Sequence, residues 1–202
     1  MRYELRIVEG RREIESAPAI RVDTYRWLSG YEPAVTARAV LLENKGFLIR
    51  MICLENQPKT VYTGPDTPVC RDSCMECFIN FAPETDDRYI NLEANSAGTL
   101  HCKLGSGRED RVSLRSMGIP MPEVKAERSQ GRWQLDYFIP LSCVEAIYGP
   151  RDFSEGQIIK ANFYKCGDET DMPHFGMWSP VDTPTPDFHR PEFFGELVLV
   201  SG

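Results

Sequence analysis

Two runs decide the fold: Asp72-Ser73-Cys74-Met75-Glu76-Cys77-Phe78-Ile79-Asn80-Phe81 and Tyr89-Ile90-Asn91-Leu92-Glu93-Ala94-Asn95. Successive side chains of a strand point to opposite faces. The second run then sorts Tyr89, Asn91, Glu93 and Asn95 onto one face and Ile90, Leu92 and Ala94 onto the other. In the first, Asp72, Cys74, Glu76, Phe78 and Asn80 oppose Ser73, Met75, Cys77, Ile79 and Phe81. The same period continues at 132–139, where Trp133, Leu135, Tyr137 and Ile139 oppose Arg132, Gln134, Asp136 and Phe138, and at 158–166, where Ile159, Ala161 and Phe163 oppose Lys160, Asn162 and Tyr164.

Outward from these runs the chain keeps a period of two and lacks long amphipathic helical patterns. Tyr3, Leu5 and Ile7 alternate with charged neighbours. Residues 35–42 and 47–54 flank Glu43-Asn44-Lys45-Gly46, a hairpin signal. Further strands are predicted at 99–104, 123–128 and 194–200, and a short helix over Pro140–Tyr148 stopped by Gly149. The stretch 173–191 holds Pro173, Pro180, Pro184, Pro186 and Pro191 and is expected to be a stiff surface loop, because proline has no ladder donor. Short strands joined by Gly, Pro and Asn turns predict an all-β fold. The expected architecture is a two-sheet antiparallel β-sandwich, jelly-roll-like, with at most one or two short helices and one domain over 1–202.

The 202 residues are 42% hydrophobic and 26% charged, which excludes disorder. A net charge of −7 repels polyanions, so nucleic acid is not expected as a partner, and no apolar run is long enough to cross a bilayer. The first residues carry scattered charges and no apolar signal core, and seven cysteines is an odd number. A reduced, cytoplasmic protein is therefore expected.

Asn is depleted in strands, so Asn91, Asn95 and Asn162 on polar faces stand out. Amides and carboxylates beside aromatic rings suit a polyhydroxylated ligand, which exchanges hydrogen bonds with them while a ring covers its C–H face. The ligand-binding candidates are Glu76, Tyr89, Asn91, Glu93 and Asn162, with Trp178 as stacking ring and His189 flanking the pocket; Trp27 and Trp133 are expected in the core. Glu76 and Glu93 would serve as a glycosidase pair if ~5–9 Å apart. Cys70, Cys74 and Cys77 have a cluster-like spacing, but Cys74 and Cys77 fall on opposite strand faces, so no iron–sulfur site is expected. The remaining cysteines read as small hydrophobes. Gly167-Asp168-Glu169-Thr170-Asp171 offers oxygen ligands for calcium without a full EF-hand loop.

These pieces together resemble the family 9-like carbohydrate-binding modules, related to sandwich domains that bind sugar or heme. The resemblance rests on Ile20 to Trp27, Asp72 to Ile79, Tyr89 to Asn95 with Gly98, Trp133 to Pro140, Asn162 to Cys166, Trp178-Ser179-Pro180 and Pro186 to Gly195. It implies a β-sandwich holding a mono- or oligosaccharide between aromatic rings, with Trp178 at the loop tryptophan position. Structural calcium occurs in some modules of this kind. The function expected is non-catalytic carbohydrate binding. The alternatives are a glycoside-active enzyme using Glu76 and Glu93, or a heme-binding sandwich with Met172 or Met177 paired to His189.

Overall fold

A computed structural model describes every residue except Ser29. In chain order the strands are β1 (Arg2–Val8), β2 (Ile20–Val22), β3 (Thr24–Tyr25), β4 (Ala34–Leu42), β5 (Gly46–Leu54), β6 (Cys74–Asn80), β7 (Tyr89–Asn95), β8 (Leu100–Gly105), β9 (Val112–Ser113), β10 (Glu123–Ser129), β11 (Arg132–Pro140), β12 (Ile158–Cys166), β13 (Phe175–Met177) and β14 (Gly195–Ser201). One α-helix, α1 (Leu141–Tyr148), follows β11; it starts after Pro140, whose fixed φ suits a helix entry, and stops at Gly149 with φ 80°. No helix among the described residues is long and apolar enough to cross a membrane.

The predicted hairpin is present, with β4 paired to β5 from Ala34↔Leu54 to Leu42↔Gly46. Gly46 is required there. Its φ is 150°, and a Cβ would stand 2.2 Å from the Ile139 carbonyl oxygen.

The strands do not separate into two antiparallel sheets as expected. They hydrogen-bond along one path, β10-β11-β5-β4-β1-β14-β12-β6-β7-β8-β9. The joint is β1, which pairs in parallel with β4 on one side and with β14 on the other. With β1 paired on both sides there is no open edge at the joint, and the two halves are continuous. The sheet curls so that Tyr137 of β11 donates its hydroxyl to the Met75 carbonyl of β6 at 2.7 Å, although five strands lie between them along the path.

The faces brought together by the curl are the predicted apolar ones: Met75, Cys77, Ile79, Ile90, Leu92, Trp133, Leu135, Tyr137, Ile139 and Phe163 form one core. The opposite face of β6 and β7 is not a solvent face, since both strands are buried throughout. A second core on that side gathers Cys74, Phe78, Tyr89, Tyr164, Cys166 and Met177 with Val181, Phe188 and Phe194. The proline-rich stretch therefore lies on the polar face as a cover instead of running over the surface. β13, in the proline-free part between Pro173 and Pro180, pairs with β12 and β3, while His174, Val181 and Phe188 turn inward.

Candidate functional site: a walled cavity on the covered strand face

Register builds the site. Glu76 of β6 lies opposite Tyr164 of β12 and opposite Glu93 of β7, which in turn lies opposite His101 of β8. The neighbouring rows are Asn162, Phe78, Asn91 and Lys103 on one side and Cys166, Cys74 and Asn95 on the other. A period of two therefore places all these side chains on one face.

Above the rows is a cavity of about 300 Å³ whose walls include Glu76, Glu93, His101, Lys103, Cys70, Cys166 and Asp168. Arg108 and Arg111 close it from the β8–β9 connection, and Phe175, Phe188 and His189 close it from the proline-rich stretch. The rings have firm backing. Phe188 stacks on Tyr164 at 4.1 Å between centroids, and His189 stacks on Phe78 at 4.8 Å.

Of the candidates, Glu76, Glu93 and His189 line the cavity. Tyr89 supports it, with its hydroxyl 2.9 Å from His189 Nδ1. Asn91 also acts from behind, donating to Glu93 Oε1 at 2.8 Å. Asn162 holds the cover in place and does not face the cavity. Its amide donates to the Ser179 carbonyl while its Oδ1 accepts the Ser179 N–H, which pins the proline-rich stretch to β12.

Trp178 is not a platform. It is 6% exposed and packs on Phe163 in the main core, its ring so close to Gly195 that a Cβ there would meet it at 2.5 Å. Trp133 is in the core as expected. Trp27 is outside it, half-buried with φ 67°, its indole N–H donating to the Thr183 carbonyl and its ring against Phe175 and Phe188.

Sequence reasoning misses the cationic wall. His101 and Lys103 alternate with Leu100, Cys102 and Leu104 in β8, and that alternation is a usable signal for a polar face. Arg108 and Arg111 lie in a connection without strand period, and nothing local marks them.

The charges in the site are unevenly compensated. Burial, reinforced by Glu93, pushes the Glu76 carboxyl well above its ordinary range and favours its protonated form. Glu93 receives Arg111 at 3.6 Å, and Arg108 pairs with Asp187 at 2.8 Å. Desolvation, then Glu93, lifts Asp168 to about 6. Burial and then the nearby Arg111 and Arg108 lower His189 to about 2, so its ring is neutral. His101 lines the cavity, and its buried Nδ1 has no partner among the described residues.

The acidic turn weighed as a calcium ligand set does not converge. Asp168 faces the cavity, Glu169 pairs with Arg71 at 3.3 Å, and Asp171 lines a separate cleft. Nor do the heme candidates meet at the cavity: Met177 accepts the Val181 N–H through its sulfur, and Met172 lines that other cleft.

Comparison with known proteins agrees with this architecture. A Bacteroides uniformis protein described as a candidate carbohydrate-binding protein superposes with a TM-score of 0.80 at 29% identity, over 98% of this chain and 99% of that one. A carbohydrate-binding module of family 9 from Caldicellulosiruptor kristjanssonii in complex with cellotriose gives 0.71 at 10% identity, over 100% and 95% of the two chains. A structure of a family 9 module from the same organism with glucose gives 0.71 at 11% identity, over 100% and 97%. The curated proteins contain no match. The profile of carbohydrate-binding family 9 matches residues 11–199, and the chain belongs to that family.

Proposed function

We propose that the protein is a non-catalytic carbohydrate-binding protein that holds a saccharide in the cavity above Glu76 and Glu93. The observation that carries this reading is the convergence of Glu76, Glu93, His101, Lys103 and Arg111 on one concave space backed by Phe188 and His189, in a chain of this family. The relatives in complex with glucose and cellotriose support a sugar as the ligand. At about 300 Å³ the cavity is at the small end of ligand sites, which run from ~300 to 1,000 Å³. That fits one sugar ring or the end of an oligosaccharide. Glu93 and His101 Nδ1 would engage hydroxyls, and Phe188 with His189 would supply the apolar contact that the sequence suggests for Trp178.

A second reading, a glycoside-active enzyme, is favoured by one specific observation: Glu76 and Glu93 are direct cross-strand partners, and the first is held towards its protonated form. Both project from one wall, however, which favours binding over an acid and a base acting from two sides of a glycosidic bond.

Isothermal titration with a panel from glucose to cellotriose, run beside a chromogenic glycoside screen, separates the readings. Saturable heat is expected without turnover. Glu93→Gln should weaken binding by roughly 10–100-fold, the weight of ~1.5–3 kcal/mol for a hydrogen bond to a charged group. No heat with any sugar would overturn the binding reading. Turnover abolished by Glu93→Gln would replace it with the enzymatic one.

A further inference from the structure

The cysteine spacing that imitates a cluster motif does not converge, since Cys77 belongs to the main core and Cys74 to the opposite face. Another thiol takes its place. Register sets Cys166 of β12 directly opposite Cys74 of β6, and Glu76 follows Cys74 two residues on along the same face. The two sulfurs and a Glu76 carboxylate oxygen all lie within 4.8 Å of one another. Cys166 Sγ is 2.9 Å from Glu76 Oε1.

We propose that Cys74, Cys166 and Glu76 form a binding site for a thiophilic divalent cation of the zinc class at the floor of the cavity. Zinc takes sulfur at ~2.3 Å and carboxylate oxygen at ~2.0–2.2 Å in a tetrahedron, which needs ligand atoms roughly 3–4 Å apart. The three atoms, all within 4.8 Å of one another, are already close to that spacing. Three protein ligands leave a fourth position. It faces the cavity, because Cys166 and Glu76 both line it, and Cys70 and Asp168 stand on the same wall. Paired thiols select zinc, cadmium or cobalt over calcium and magnesium, which prefer all-oxygen shells.

Without a cation the floor is a group of buried acids with little compensation. Both neighbouring cations are already engaged: Arg111 by Glu93 at 3.6 Å, and Lys165, whose Nζ is 3.0 Å from the Cys166 carbonyl, by Glu55 at 3.5 Å. One divalent cation would displace three protons to solvent, one from each thiol and one from the carboxyl. The resulting site carries one net negative charge and lies next to Arg111. Affinity should therefore rise with pH. The inference does not depend on what occupies the cavity above.

The test is titration of the reduced, metal-free chain with Co²⁺. The expected result is a thiolate-to-cobalt charge-transfer band that saturates at one cation per chain and is accompanied by proton release. Zn²⁺ should displace it and Ca²⁺ should not. The band should be lost in Cys74→Ser and in Cys166→Ser but kept in Cys77→Ser, whose thiol is equally buried on the other strand face. X-ray absorption on the zinc-loaded wild-type chain needs no variant and should show two sulfur ligands. No band at saturating Co²⁺, a zinc shell of oxygen and nitrogen alone, or a band that survives both substitutions would overturn the proposal.

Discussion

Glu76 and Glu93 meet because two alternating strands are paired in one register, and a slip by one residue would send both into the main core. Their polar character was legible in the sequence; their burial was not, because the cover arrives from distant segments. The same limit applies to Lys165. Its position places it on the apolar face, yet it is fully buried with its Nζ 2.7 Å from His174 Nε2 and 3.5 Å from Glu55, over the Trp133 ring. No local pattern announces that cluster, which also governs part of the acid stability. Burial, then Lys165, lowers His174 to about 4, so the unfolded chain binds its proton more readily. Stability from the neutral ring is complete above ~6.5 and is lost as pH falls towards about 4. At ~1.4 kcal/mol per tenfold in proton affinity, the loss is up to ~3 kcal/mol. Urea unfolding across pH 7 to 4 should show it, and His174→Gln, which keeps an acceptor for Lys165, should flatten that part of the curve. An unchanged curve would contradict this assignment.

At the scale of elements, the hairpin, the helix after Pro140 and the strands around residues 74–80, 89–95 and 132–140 were legible because each carries its own period and turn chemistry. The short strands β2, β3, β9 and β13 were not, since two or three residues carry no period and exist only by pairing. The strand-face amides that stood out as ligand candidates prove to be divided between the site and its cover. Asn95 and Asp72 show how the cover is held: Asp72 Oδ2 accepts the Val61 and Tyr62 N–H groups and the Asn95 amide, each at 2.9 Å. That carboxylate fixes the 55–72 segment, which brings Pro68 and Cys70 to the cavity wall. Asp72→Ala should cost ~2–4 kcal/mol, as the buried Asn95 amide and two part-buried backbone N–H groups lose their shared acceptor at once. Denaturant melts should show a lower midpoint with an unchanged m-value, and a change below ~1 kcal/mol would contradict the role given to Asp72.

Across the whole molecule, the fold class followed from composition and alternation, while the continuous sheet depended on β1 pairing with both β4 and β14, a contact between the two ends of the chain. The chain's net charge of −7 gave no hint that one wall of the cavity is cationic, with Arg108 and Arg111 of the β8–β9 connection joining Lys103 of β8. The central claim is that this cavity, and not another surface, holds the saccharide. Amide chemical-shift mapping during titration with a sugar that binds tests it most directly. Shifts are expected to concentrate at Glu76, Glu93, His101 and Lys103, along Arg108 to Arg111 and along Pro186 to His189, and to be sparse around Trp178. Binding whose shifts instead centre on the cleft lined by Tyr25, Pro33 and Leu54, or spread without a focus, would contradict it.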